Sequence, residues 1–309
     1  MKRIGFLFPG QGAQQVGMGA DLRARFEIAK QTFAEADDAL GVDLSGLCER
    51  GPEEDLTRTE NTQPALLATS VAIARVLKDA GIEPAIAAGH SLGEWSAWVA
   101  VGALDFAQAL RAVRLRGRFM QEAVPAGVGA MSALLGVELD AVLDLCRNAT
   151  RDGEPVVPAN LNGGRQVVVA GHAAAVARLE ELATVAKIRS TRLKVSAPFH
   201  SPMMAPAAER MREVLAGLDV HAPRASVVCN VDATPCADPA RIPELLRDQI
   251  TAPVRWEECG RAVASSSDVG VEVGSGRVLT GLLKRIDRAY PCHATGDVAG
   301  VEAVIAELA

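Results

Sequence analysis

Residues 89–94 read Gly-His-Ser-Leu-Gly-Glu, a G-x-S-x-G pentapeptide set between a small apolar run and a helical pattern. Residues 84–88 (PAIAA) read as a short buried strand, and 92–101 have helix-compatible periodicity. A serine between two such elements stands on a bend so tight that its flanking positions require glycine. The bend lifts the Ser91 hydroxyl to the surface at a helix N-terminus, where free backbone N–H groups receive an oxyanion. Small-residue turns also match this pentapeptide by chance. Ser91 becomes a nucleophile only if the rest of the chain supplies a base.

The order of elements bounds the fold. Ile4–Phe8 reads as a buried strand ended by Pro9-Gly10, and from there to about Val124 the pattern predicts helices alternating with short strands. That order is expected of a parallel sheet covered by helices. The character then changes. Residues 128–137 read as strand and 139–148 as helix. Residues 156–160 and 166–170 read as strands around an Asn162-Gly163-Gly164 turn, 173–186 as an alanine-rich helix and 189–196 as strand. This β-α-β-β-α-β order is the split pattern of a ferredoxin-like unit. The expected architecture is α/β. A discontinuous large domain, 1–126 and 198–309, carries the parallel sheet, and 127–197 is inserted as an α+β subdomain. Such an insertion forms one wall of a cleft. Pro198-Phe199-His200-Ser201 stands at the re-entry and faces it.

A serine nucleophile needs a base within hydrogen-bond reach. The chain has five histidines, His90, His172, His200, His221 and His293. His90 neighbours Ser91, but adjacent residues across such a bend point apart. His172 follows a strand of the insertion, and His221 and His293 sit in polar, loop-like segments. His200, at the domain re-entry, is the strongest base candidate; its bland reading is a surface-turn histidine. No acidic residue between 91 and 200 occupies an obvious strand-end loop, so no third triad member is assigned. A backbone carbonyl near Gln249–Ile250 is the expected substitute.

Residues 109–120 place an arginine where one is costly. At about 100° per residue, Arg111, Arg114 and Arg118 fall within roughly 60° of one another, an ordinary solvated face. Arg116 lies roughly 140–160° away, among Ala109, Ala112, Val113, Phe119 and Met120. An unpaired charge there would be very unfavourable. Its partner is either a carboxylate of the chain, such as Glu94 or Glu122, or the carboxylate of a ligand, which the guanidinium fork suits well. The pattern alone leaves both open.

Other features exclude functions. The net charge of -6 argues against a nucleic-acid protein. The 49% hydrophobic and 23% charged residues are ordinary for a globular chain. Six cysteines without a C-x-x-C pair suit neither zinc nor a redox motif and fit a reducing cytoplasm. The run Ile4–Phe8 is too short for a signal peptide core, and no segment reaches membrane-spanning length. Gly10-Gln11-Gly12-Ala13-Gln14-Gln15 begins like G-x-G-x-x-G but ends on Gln15, which argues against dinucleotide binding. Gly274-Ser275-Gly276 precedes a helix over 278–285 and is either a plain turn or an anion cradle. Lys187, Arg189, Arg192 and Lys194 alternate toward His200. They form a solvated face or greet an anionic cosubstrate at the cleft mouth.

Taken together, these stretches resemble the malonyl-CoA:acyl carrier protein transacylases of fatty acid synthesis and the acyltransferase domains of polyketide synthases. The matching blocks are LFPGQGAQ (7–14), NTQPALLA (61–68), GHSLGEWSA (89–97), LRGRFMQEA (115–123), VSAPFHSPMM (195–204), QITAPVRW (249–256) and VEVGSGRVLTGLLK (271–284). The resemblance implies an α/β-hydrolase-like domain with a ferredoxin-like insertion. It implies Ser91 as acyl-accepting nucleophile, His200 as base and the Gln249 backbone as the group that orients the histidine. The N–H groups of Gln11 and Leu92 would form the oxyanion hole, and Arg116 would clamp the malonyl carboxylate, turning the open choice toward a ligand. Gln63 and Asn162 fall in blocks near the pocket. Phe199 and Leu92 resemble the malonyl-selecting form rather than the methylmalonyl one. Trp95, Trp98 and Ser275 depart from the family pattern.

The implied chemistry is ping-pong transfer of a malonyl group from malonyl-CoA to the phosphopantetheine thiol of an acyl carrier protein. No permanently bound cofactor, metal, nucleic acid or membrane is expected. The chain is expected to be a cytoplasmic monomer. A serine thioesterase or esterase would need the same Ser91 and His200 but no arginine clamp. A non-catalytic carrier-protein docking subunit would need none of these residues.

Overall fold

The computed structural model of the chain describes residues 2–195 and 197–309. The first strand, β1 (Ile4–Phe8), is buried along its whole length, as is β2 (Ile86–Gly89). Uninterrupted apolar runs of this kind belong to strands covered on both faces. Three pairings, β1 with β2, β1 with β9 (Val269–Glu272) and β9 with β10 (Cys292–Ala294), are parallel. Strand β7 (Ser226–Val228) adds in parallel to β2, and β8 (Pro235–Cys236) closes that edge antiparallel to β7. The six-stranded order is β10-β9-β1-β2-β7-β8.

The second sheet holds β3 (Gly129–Leu135), β4 (Val156–Gly163), β5 (Gln166–His172) and β6 (Arg189–Arg192) in the order β4-β5-β3-β6, with every pairing antiparallel. Helices Leu139–Ala149 and Ala173–Val185 connect β3 to β4 and β5 to β6. This is the ferredoxin-like arrangement beside a parallel-sheet α/β layer.

Period-two alternation divides the small sheet between two cores. Ala130, Leu134, Val167 and Val169 pack with Val142, Leu145, Val176 and Leu179 of its own helices. Their neighbours Met131, Ala133, Val168 and Ala170 turn the other way and join the large core around Phe6, Phe8, Leu66 and Trp98. Successive side chains of a strand must point to opposite faces. The small sheet is thereby held against the large layer through one face, and Met131 reaches the cleft between them.

Three expectations need correction. Strands and helices do not alternate from 4 to 124: only β1 and β2 lie there among the described residues. The stretch between them is five helices, ending in the long Thr59–Asp79, whose Ala- and Leu-rich turns are buried nearly throughout. The other strands of the large sheet come after the small one. The hairpin turn of the small sheet is Gly164-Arg165 rather than Asn162-Gly163-Gly164, because β4, with irregularities at Pro158/Asn160 and Leu161/Gly163, runs three residues further, to Gly163. The strand expected over 189–196 ends at Arg192; Ser196 lies outside the described residues.

Among the described residues, no helix is long and apolar enough to cross a membrane. All six cysteines are free thiols, and five of them are buried.

Leu134 is wholly buried between β3 and its two helices. Leu134→Ala is expected to cost about 2–5 kcal/mol, read by urea unfolding. A loss below about 1 kcal/mol would contradict a well-packed second core.

Candidate active site

The bend between β2 and helix Leu92–Ala100 holds Ser91 at φ 51°, ψ -103°. A non-glycine residue there carries strain of about 1–3 kcal/mol, which the surroundings must fix. The Ser91 N–H donates to Asn230 Oδ1 at 2.7 Å, and Asn230 Nδ2 donates to the Gly89 carbonyl at 2.7 Å. One asparagine thus ties both sides of the bend. The flanking glycines are required by close approach. A Cβ on Gly89 would lie 1.9 Å from the Gly93 carbonyl carbon, and one on Gly93 would lie 1.9 Å from the Phe8 carbonyl oxygen. Helix Leu92–Ala100 therefore abuts the end of β1, and its first N–H, that of Leu92, has no acceptor within the helix.

His200, also at positive φ (58°), is 3% exposed. Its Nε2 lies 2.7 Å from Ser91 Oγ. Its Nδ1 lies 2.9 Å from the Gln249 carbonyl and 3.2 Å from that of Ala252. Two carbonyls around Nδ1 place the proton there, which leaves Nε2 as acceptor for the serine hydroxyl. Among the described residues no carboxylate touches the ring. Burial, reinforced by the Arg116 cation, pushes the imidazole down to about 3 against the pull of the two carbonyls. At neutral pH His200 is neutral and able to take a proton.

Arg116 is 1% exposed on helix Phe106–Glu122. A Cβ on the adjacent Gly117 would lie 2.5 Å from the Thr59 carbonyl oxygen, so this helix lies close against the start of Thr59–Asp79. That brings Gln63 within reach. One terminal nitrogen of Arg116 donates to Gln63 Oε1 at 2.8 Å; the other donates to Gln249 Oε1 at 2.9 Å and to Ser91 Oγ at 3.2 Å. Among the described residues no carboxylate lies within ion-pair distance of it. Glu122 is engaged by Arg210 and Arg118 instead. Burial lowers Arg116 to about 10, so it stays a cation at neutral pH. A buried cation in contact with neutral oxygens, touching the serine, has the chemistry to receive an anion.

Ser91, His200, Arg116, Phe199, Leu92 and Gln11 line one cavity of about 290 Å³. Gln11 lies in the loop after β1, and its side chain donates to Thr59 Oγ1 at 3.4 Å. A neighbouring groove of about 510 Å³ shares Gln11, Thr57, Lys194 and Val195 with the cavity and continues it past Arg118. His90 also lines the cavity, but its Nε2 lies 3.0 Å from Asn162 Oδ1 and its ring packs against Trp256. His172 caps its own helix, and His221 and His293 pair with Asp219 and Glu307.

Two other expectations resolve differently. Arg192 donates through Nε and one terminal nitrogen to the two carboxylate oxygens of Glu180, and Lys187 sits in the turn before β6; of the basic run, Lys194 lines the cleft. The turn at 274–276 offers no anion cradle. The chain's own Glu272 already accepts from Leu279 N at 2.9 Å and Thr280 N at 2.7 Å. Among the described residues no three His, Cys, Asp or Glu side chains gather to hold a metal ion.

One buried residue of the site, Asn230, carries no signal in the sequence, being a lone asparagine after a short strand. Glu94, offered above as a direct partner of Arg116, is instead one amide removed from it, with Gln249 between them.

The acyl transferase domain family matches residues 5–296. The chain belongs to this family. It is 45% identical to the malonyl CoA-acyl carrier protein transacylase of Bacillus subtilis (strain 168), over 100% of this chain and 98% of the relative. The crystal structure of an acyl carrier protein S-malonyltransferase from Vibrio cholerae O1 biovar eltor superposes with a TM-score of 0.94 at 48% identity, covering 98% of this chain and 99% of the other. A further structure holds a type II PKS acyl-carrier protein in complex with its malonyl-transacylase; it matches with a TM-score of 0.95 at 43% identity, covering 98% and 99%.

The low basicity of His200 has a thermodynamic consequence for this acyl transferase. The folded value near 3 lies below the ordinary 6.5, so the unfolded chain binds a proton first as pH falls. The stability from neutral His200 is full above 6.5 and is lost as pH falls toward 3. His200→Gln is therefore expected to flatten the stability-pH curve in that window by up to about 1.4 kcal/mol per pH unit, measured by urea unfolding at several pH values. Identical slopes would contradict a neutral, buried imidazole.

Proposed function

We propose that the chain moves a malonyl group from malonyl-CoA to the phosphopantetheine thiol of an acyl carrier protein through a malonyl ester on Ser91. The observation that carries this reading is Arg116: a buried cation without a carboxylate partner among the described residues, 3.2 Å from the Ser91 hydroxyl. An acyl group with a free carboxylate satisfies the guanidinium while its thioester carbon meets the serine.

Ser91 Oγ attacks the thioester carbonyl and gives its proton to His200 Nε2. The N–H groups of Gln11 and Leu92 hold the oxyanion, and losing one such donor typically slows a reaction about 10²–10³-fold. The carbon–sulfur bond breaks, and CoA leaves as its thiol with the proton from His200. The carrier-protein thiol then gives its proton to His200 and attacks the ester, and the proton returns to Ser91 as it leaves. The Gln249 and Ala252 carbonyls keep the imidazole oriented throughout. Every step is carried by residues of the chain, so the reading asks for no permanently bound cofactor. The groove past Lys194 gives a long thiol arm a path to the serine, and Phe199 and Met131 give the acyl methylene an apolar wall. We read residues 127–197 as a subdomain inserted between 1–126 and 198–309, contributing Met131 to that wall.

Intact-protein mass spectrometry after incubation with malonyl-CoA is expected to show one malonyl adduct, transferred on adding a holo carrier protein and absent in Ser91→Ala. Rapid release of free malonate, with no transfer to thiol, would favour a hydrolase. Absence of any adduct would sink the transferase reading.

Arg116→Ala is expected to slow malonyl loading about a hundredfold or more, since it removes charged hydrogen bonds each worth about 1.5–3 kcal/mol. Acetyl loading should gain relative to malonyl. An unchanged malonyl preference would refute the clamp.

A further inference from the structure

The reaction just described makes no use of a fully buried acid lying directly beneath the serine. Glu94 projects from the first turn of helix Leu92–Ala100 and is 0% exposed. Its Oε2 accepts from Gln249 Nε2 at 2.7 Å and from the Asn230 backbone N–H at 2.9 Å. Each partner leads back to the reacting groups. Asn230 holds the Ser91 N–H. Gln249 offers its backbone carbonyl to His200 and its side-chain oxygen to Arg116.

The Gln249 amide has a direction. Its nitrogen must face an acceptor and its oxygen a donor. Turned over, the nitrogen would face the Arg116 guanidinium and the oxygen would face the Glu94 carboxylate, two repulsive contacts in a buried site. The same nitrogen also donates to the Ser91 carbonyl at 3.1 Å, and Glu94, at the shorter 2.7 Å, is the charged acceptor that decides which end of Gln249 meets Arg116. Burial raises the Glu94 carboxyl to about 7 against the pull of its hydrogen bonds and of Arg116, and its ionised form, one amide away from the guanidinium, favours the Arg116 cation. A carboxylate in direct contact would occupy the donors an incoming acyl carboxylate needs. One held at a remove does not.

We propose that Glu94 is the positioning residue for acyl selection, setting the Arg116 clamp through the Gln249 side chain. This inference rests on the malonyl-transfer reading above. Rates of Ser91 acylation by malonyl-CoA and acetyl-CoA, read by quenched-flow and intact mass, test it. Glu94→Ala should lower the malonyl rate at least about tenfold further than the acetyl rate. Glu94→Gln keeps a carbonyl oxygen for both donors and should stay within about threefold of wild type for both substrates. Glu94→Asp, which withdraws the carboxylate from Gln249, covers the case that the alanine variant does not fold; it should shift the ratio in the same direction.

Equal losses on the two substrates would mean a general structural role and overturn the proposal. So would an unchanged ratio in Glu94→Asp, or a glutamine variant as impaired as the alanine one. Wild type is measured alongside. A missing wild-type malonyl adduct removes the transfer reading itself, whereas failure of the inference alone leaves that adduct intact.

Discussion

The site depends on one unusual constraint, a guanidinium held in the interior of the chain that, among the described residues, touches only neutral oxygens. Desolvation alone makes this arrangement costly, and three hydrogen bonds to Gln63, Gln249 and Ser91 offset part of the cost. Those partners come from helix Thr59–Asp79, from the turn after helix Ile242–Asp248 and from the bend after β2. Parts of the chain far apart in sequence must therefore converge before Arg116 is accommodated. The same convergence puts His200 over Ser91, because Gln249 serves the arginine with its side chain and the histidine with its backbone.

The fold supplies rigidity where the chemistry needs it. Strain at Ser91 persists because Asn230 ties both ends of the bend and because Gly89 and Gly93 allow helix and strand to nearly touch. The second sheet contributes through its pleat. One face keeps a private core with its two helices, and the other is shared with the large layer, so Met131 and Asn160 reach the cavity from the opposite side. A site buried in this way leaves the imidazole neutral and the arginine charged at the same pH.

Much of this was legible in the chain. The pentapeptide announced the bend because close packing of helix on strand tolerates only glycine. The β-α-β-β-α-β order followed from period-two runs separated by periodic helices, and helix periodicity alone exposed Arg116 as misplaced. Its partner could not be read that way. Gln63 and Gln249 lie far from it in sequence, and glutamines in apolar company give no direction for their amides. The all-helical stretch between β1 and β2 was misjudged because short apolar runs fit strand and helix equally well. The basic run before His200 looked like one charged face, yet Arg192 is held by Glu180 from the neighbouring helix, a tertiary contact that alternation does not reveal.

The central claim is that Arg116 is a receptor for the free carboxylate of an acyl group. Calorimetric titration of the Ser91→Ala protein, which binds but cannot react, addresses it without the kinetics of two half-reactions. The account predicts that malonyl-CoA binds about a hundredfold more tightly than acetyl-CoA. Equal dissociation constants for the two thioesters would contradict it.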